Sequence, residues 1–157
     1  MAWSASKIFR AFLADALDNT TAIDLGTDVP KVALYNNSIT PSQDVTSANT
    51  AYNVGQWVSA VNEVFEATQW NSGGVALTGM SLNSATAATV FYDANDTASG
   101  STADLANVYG CLVYDDTLTT PVADQGICYI YFGGTNQVVN GMMTVVWSAN
   151  GLFRFTL

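Results

Sequence analysis

The sequence predicts a mainly β domain behind a short N-terminal helix, and three observations predict it. The hydrophobic period changes from 3.6 residues to short runs at Pro30. Beyond that point, segments rich in Val, Tyr, Phe and Thr alternate with Asn, Gly, Asp, Ser and Pro, the pattern of strands and turns. Near the C-terminus, Asn150-Gly151 stands between two strand-like runs, as the positive-φ pair of a type I′ hairpin turn would.

From Ser6 to Leu17, Ile8, Phe9, Phe12, Leu13, Ala16 and Leu17 recur at helical spacing, with Lys7, Arg10 and Asp15 off the stripe. This predicts an amphipathic helix of about three turns, capped by Ser4 or Ser6 and stopped near Asp18-Asn19. Residues 1–30 then form an N-terminal helix and linker, and residues 31–157 the β-sandwich domain.

The expected strands are Lys31–Tyr35, Gly74–Leu82, Ala88–Tyr92, Val108–Tyr114, Ile127–Phe132, Met142–Trp147 and Leu152–Leu157. Their number and spacing fit an immunoglobulin-like antiparallel β-sandwich. In the last strand Phe153, Phe155 and Leu157 should face the core, with Arg154 and Thr156 outside. Val108–Tyr114 and Ile127–Phe132 are apolar on both faces, which marks central strands or an oligomer interface. Tyr52–Trp70 carries Val at a density, and a Gly55, that favour strand and loop over a long helix, and the polar stretch Asn83–Asp104 outside its strand predicts exposed loops.

Composition excludes more than it assigns. No Lys or Arg occurs from residue 32 to residue 153, nine acidic residues fall inside that gap, and the chain has no His. Capture of nucleic acid or an anionic membrane needs clustered cations, so neither is expected as a partner. Without imidazole, Ser-His-Asp, Cys-His and His-ligated zinc chemistry are impossible. The 157 residues suit one domain, and a formal net charge of −9 favours basic or neutral partner surfaces. The apolar positions after Trp3 are broken by Lys7, Arg10 and Asp15, unlike a signal peptide, and no run reaches the ~20 apolar residues of a membrane span. Synthesis in a cytoplasm, with Cys111 and Cys128 as thiols, follows as the expectation.

Candidate sites are few. Asp93-Ala94-Asn95-Asp96 opens like a calcium loop, but Thr97 and Ala98 stand where a ligand and Gly are required. Asp115-Asp116 together with Asp124 could gather round a cation, but adjacent aspartates at a strand exit usually cap backbone N–H groups instead. Glu63 and Glu66, three apart on an extended segment, point to opposite faces and make no acid/base pair. No catalytic residue, metal or cofactor is expected. Trp57 and Trp70 are either core residues or exposed rings that stack on sugars. Trp3, Lys7, Ile8, Phe9, Arg10, Phe12 and Leu13 form either a helix that docks on a partner or one that packs against its own domain.

The runs Lys31-Val32-Ala33-Leu34-Tyr35-Asn36-Asn37-Ser38 with Thr40-Pro41, Asn62-Glu63-Val64 leading to Trp70, and Gly73-Gly74-Val75-Ala76-Leu77 resemble capsid decoration or auxiliary head proteins of tailed bacteriophages, especially those of actinobacteria. Val108 to Asp116, Tyr131-Phe132-Gly133-Gly134 and the closing segment Trp147 to Phe155 continue the likeness. The resemblance implies a non-enzymatic virion protein on the capsid exterior, made in the bacterial host cytoplasm, that stabilises the shell by bridging major capsid protein subunits. Proteins of this kind often self-associate as trimers on three-fold positions, which implies a subunit interface on the doubly apolar strands. A head or tail module that binds host carbohydrate through Trp57 and Trp70 is the alternative.

Overall fold

The computed structural model describes residues 3–19, 22–84 and 88–157. The chain is mainly β, and every strand pair is antiparallel. In order the elements are β1 (Lys7–Ile8), α1 (Arg10–Asp18), β2 (Pro30–Tyr35), α2 (Ser47–Thr50), α3 (Ser59–Asn62), β3 (Glu63–Val64), β4 (Val75–Ala76), β5 (Ser81–Asn83), β6 (Thr89–Asp93), β7 (Thr97–Ala98), β8 (Ala103–Asp115), β9 (Gly126–Gly141), β10 (Thr144–Val145) and β11 (Phe153–Thr156). The main sheet runs β1-β9-β8-β2-β3, with β4 also paired to β2; β11-β6-β5 and β10-β7 form two smaller sheets.

Register explains why β8 and the first half of β9 lose polar alternation. Leu34 opposes Cys111, Cys111 opposes Ile130 and Val113 opposes Cys128, so these residues share one face. That face meets the β11-β6-β5 sheet at Phe153, which lies beside Cys128 and Ile130, and at its cross-strand partner Tyr92, whose ring stacks on Phe153 with centroids 5.6 Å apart. Burial, followed by the charges of Asp115 and Asp28, holds the Tyr92 hydroxyl well above the usual tyrosine range. Leu112 opposes Tyr129 on the other face, where Trp3, Phe9, Tyr35 and Trp57 form a second aromatic layer. Two layers on one sheet are compatible with a β-sandwich.

The second layer is built from the N-terminal segment. Trp3 and Phe9 each meet Trp57 edge-on at 6.1 Å, and Tyr35 meets it at 5.0 Å. Trp3 Nε1 donates to the Asn36 carbonyl (2.8 Å), and the Tyr35 hydroxyl donates to the Trp57 carbonyl (2.7 Å). Gly110 makes room for this packing: a Cβ there would lie 2.6 Å from the Trp3 ring and 2.4 Å from the Ile130 carbonyl oxygen.

Four expectations change. The predicted 6–17 helix starts only at Arg10, because Lys7 and Ile8 pair with Tyr129 and Cys128 and the Phe9 N–H bonds the Ile127 carbonyl, which keeps that backbone extended. Ser6 caps nothing; its hydroxyl accepts the Tyr131 N–H. Residue 30 is no packing boundary, since Trp3, Phe9 and Phe12 share one core with the β strands. The Asn150-Gly151 hairpin is absent. Phe153 pairs with Tyr92 and Thr144 with Ala98, so the flanking strands join different sheets, while Gly151 closes a turn to the Ser148 carbonyl with φ +82°.

Elsewhere the predicted strands hold in part. Gly74–Leu82 divides into β4 and β5, and Met142–Trp147 shortens to β10. Tyr52–Trp70 has no long helix, as expected, but its strand is only Glu63–Val64 and Ser59–Asn62 is a one-turn helix among turns. The polar stretch before Asp104 is less exposed than its composition suggests, since Thr97 and Ser99 are buried; its residues 85–87 lie outside the described ones. Phe153 is buried and Arg154 and Thr156 exposed, but Leu157 faces solvent.

Candidate partner-binding surface

The seven residues expected to meet a partner separate into two groups. Trp3, Phe9 and Phe12 are buried in the chain's own core, with Phe12 against Phe153, and are not presented to anything outside. Lys7, Ile8, Arg10 and Leu13 remain at the surface, where they line a groove of about 400 Å³ between the N-terminal segment, β9 and β11. Strand β1 places Ile8 and α1 places Leu13 over Cys128 and Ile130 of β9 and Leu152 and Phe153 beside them.

Half-buried Ile8, Leu13 and Ile130 give this groove an apolar floor, and exposed Lys7 and Arg10 stand on its rim. Arg10 also pairs with Asp44 at 2.8 Å across an exposed surface, an interaction of about 0–1 kcal/mol that competes weakly with any partner carboxylate. Lys31 is bound to Asp116 at 2.7 Å. Sequence reasoning missed Ile130, Leu152 and Gln43 as lining residues. The available signal was the second apolar face of Ile127–Phe132, which continues through Ile130 into the groove.

The sugar-stacking reading loses its carriers, because Trp57 and Trp70 are both fully buried. Glu63 and Glu66 do not converge on a cleft. Glu63 is buried, and its carboxylate accepts bonds from the Tyr52 hydroxyl (3.0 Å), the Ser72 hydroxyl (2.9 Å) and the Gly73 N–H (2.8 Å). Burial raises its pKa while these three donors pull the other way. The network ties the 63–73 segment to β8, since Tyr52 stacks on Tyr114 and the Tyr114 hydroxyl donates to the Gly73 carbonyl.

Three of the candidate aspartates hold backbone N–H groups. Asp93 accepts the Ala94 N–H and Asp96 the Trp147 N–H. Asp115 accepts the Thr117 N–H, as a strand-exit cap should, but it is fully buried and within hydrogen-bonding reach of the Asp28 carboxyl. Among the described residues no three His, Cys, Asp or Glu side chains come together as metal ligands.

Cys111 and Cys128 are free and buried in the face shared with Tyr92. Burial pushes the Cys128 thiol up to about 12 and the Cys111 thiol well above its ordinary value. A thiol reagent at neutral pH is therefore expected to label neither residue in the native protein and both in denaturant; fast native labelling of Cys128 would contradict the packing around the groove.

Among the described residues no helix is long and apolar enough to cross a membrane. No protein-family model, curated protein or solved structure matches the chain.

Proposed function

We propose that this protein is a non-enzymatic virion component that decorates and stabilises a bacteriophage capsid, with the groove edged by Lys7 and Arg10 as its contact to major capsid protein subunits. The observation that carries the reading is this groove: two of the chain's four basic side chains stand over an apolar floor, on a chain of net charge −9. Such a surface fits an acidic and apolar protein segment. The resemblance of residues 31–157 to decoration proteins supports the same role.

The scaffold we propose is an immunoglobulin-like sandwich of the main sheet and β11-β6-β5. The approach of Phe153 to Cys128 and Ile130 of the main sheet, with Tyr92 beside Cys128 and Asp115, supports it. The role is mechanical, since many copies on a symmetric shell add up even when each contact is modest. Its place is the capsid exterior, after synthesis in the bacterial host.

The test is co-sedimentation with expanded phage shells built of major capsid protein. Saturable binding of the wild type is expected, with a loss of roughly tenfold or more in the double variant Lys7→Glu, Arg10→Glu, whose exposed positions leave the fold intact. Equal binding by that variant would remove the groove from the interface. No binding by the wild type would remove the capsid role.

A further inference from the structure

We infer that the outer edge of β9 beyond Tyr129, with the groove beside it, is a self-docking surface that pairs two copies of this chain across a two-fold axis. Strand β1 covers that edge only at Cys128 and Tyr129, and the Tyr131 N–H goes to the Ser6 hydroxyl. Among the described residues no strand pairs with the edge further along. An open strand edge offers a row of backbone donors and acceptors to another strand, and charged residues or proline usually blunt it. Residues 132–141 contain neither.

The adjoining surface is apolar. Phe132, Val138, Met142, Met143 and Val146 help to line a groove of about 530 Å³, with Met142 and Val146 61% and 70% exposed, and Val139, next to Val138 on β9, is 78% exposed. Such side chains standing together mark an interaction site more often than isolated ones do.

Charge selects the occupant. The whole segment from Gln125 to Phe153 has no charged residue, in a chain of net charge −9. The nearest acids, Asp96 and Asp104, each accept a backbone N–H, from Trp147 and Asn140. A second copy is repelled wherever carboxylates face carboxylates, and this is the surface on which it can approach without that cost. Two β9 edges running antiparallel are self-complementary, as an isologous two-fold contact requires. Of the doubly apolar runs, Cys111 to Tyr114 of β8 is buried, whereas Ile130, Tyr131 and Phe132 of β9 are half-buried and line this groove. This inference does not depend on the capsid reading, since it concerns the isolated protein.

Light scattering on the purified chain tests it. The expected mass is twice that of one chain, with association strengthening as salt rises and screens the repulsion between copies. Val139→Lys places like charges on both edges and is expected to weaken the dimer by roughly a hundredfold while the circular dichroism spectrum stays unchanged. Leu17→Lys, at an apolar side chain 86% exposed on α1, should leave the dimer intact. A wild-type monomer, a trimer, or a Val139→Lys variant that dimerises normally would overturn the proposal.

Discussion

Removing residues 1–18 is expected to unfold the protein at room temperature, although the deleted segment precedes most of the strands. Trp3, Phe9 and Phe12 are 1%, 0% and 3% exposed, and the first two close the aromatic layer on Trp57 and Tyr129. Truncating one such aromatic side chain costs about 3–5 kcal/mol, and a domain has about 5–15 kcal/mol in total. Losing all three consumes that margin even if their effects are not additive. Strand β1 goes with them and leaves β9 a longer bare edge. Trp3→Ala alone should lower stability by about 3–5 kcal/mol in urea unfolding, whereas Leu17→Ala, at an exposed position, should stay within about 0.5 kcal/mol. A truncated chain that keeps its near-ultraviolet circular dichroism and cooperative melt would show that the segment is an appendage.

Acidification from pH 7.5 to pH 5 is expected to stabilise the protein, the reverse of ordinary acid behaviour. Asp115 is fully buried, and its Oδ2 has no donor, while the Asp28 carboxyl lies within hydrogen-bonding reach. Two facing carboxylates are complete only when one of them carries a proton. Burial first, and the neighbouring Asp28 after it, push Asp115 up to about 6, while the Thr117 N–H pulls it down. The folded chain therefore holds this proton to higher pH than the unfolded chain does. The stabilisation is fully present below the ordinary carboxylate range and is lost as pH rises through about 6. Between pH 7.5 and pH 5 only about one pKa unit of this range is crossed, so at about 1.4 kcal/mol per unit the gain is about 1–1.5 kcal/mol, or a few degrees in Tm for a domain of this size. Glu63, raised mainly by burial, adds in the same direction.

Asp115→Asn separates this pair from the general relief of charge repulsion. Its side-chain oxygen still accepts from Thr117, and its amide can donate to Asp28 at every pH. The variant should melt higher than the wild type at pH 7.5 and show a much flatter dependence between pH 5 and pH 7.5. A variant with the wild-type slope would assign the effect to other groups.

These two regions also show what could be read from residue order. Strands β2, β6 and β11 were legible, because Val, Tyr and Phe runs bounded by turn residues have little else to become. The central position of β8 and β9 was legible from their two apolar faces. The break at Phe9 was not: Ile8 to Leu17 satisfies a helical stripe, and only a strand more than 100 residues away, pairing with Lys7 and Ile8, overrides it. The Asn150-Gly151 signal failed for a similar reason, since Phe153 found Tyr92 as its partner.

The candidate site was legible in part. Ile8, Leu13, Lys7 and Arg10 belong to the groove, but the helical stripe could not separate the face toward the core from the face toward solvent, so Trp3, Phe9 and Phe12 were counted with them. Trp57 and Trp70 lie in a turn-rich segment, where a ring has no periodicity to say whether it points in or out. The Asp28–Asp115 contact joins residues far apart in sequence, and Asp115 also performs the turn-capping role that its neighbourhood suggests.

Under the proposed capsid role, the most direct test is quantitation of this chain in purified phage particles, compared with particles made without it. The account predicts a fixed, high copy number relative to the major capsid protein, retained through gradient purification, and particles lacking it that release their genome at lower temperature. Particles that never contain the chain, or that withstand heat equally well without it, would contradict the account.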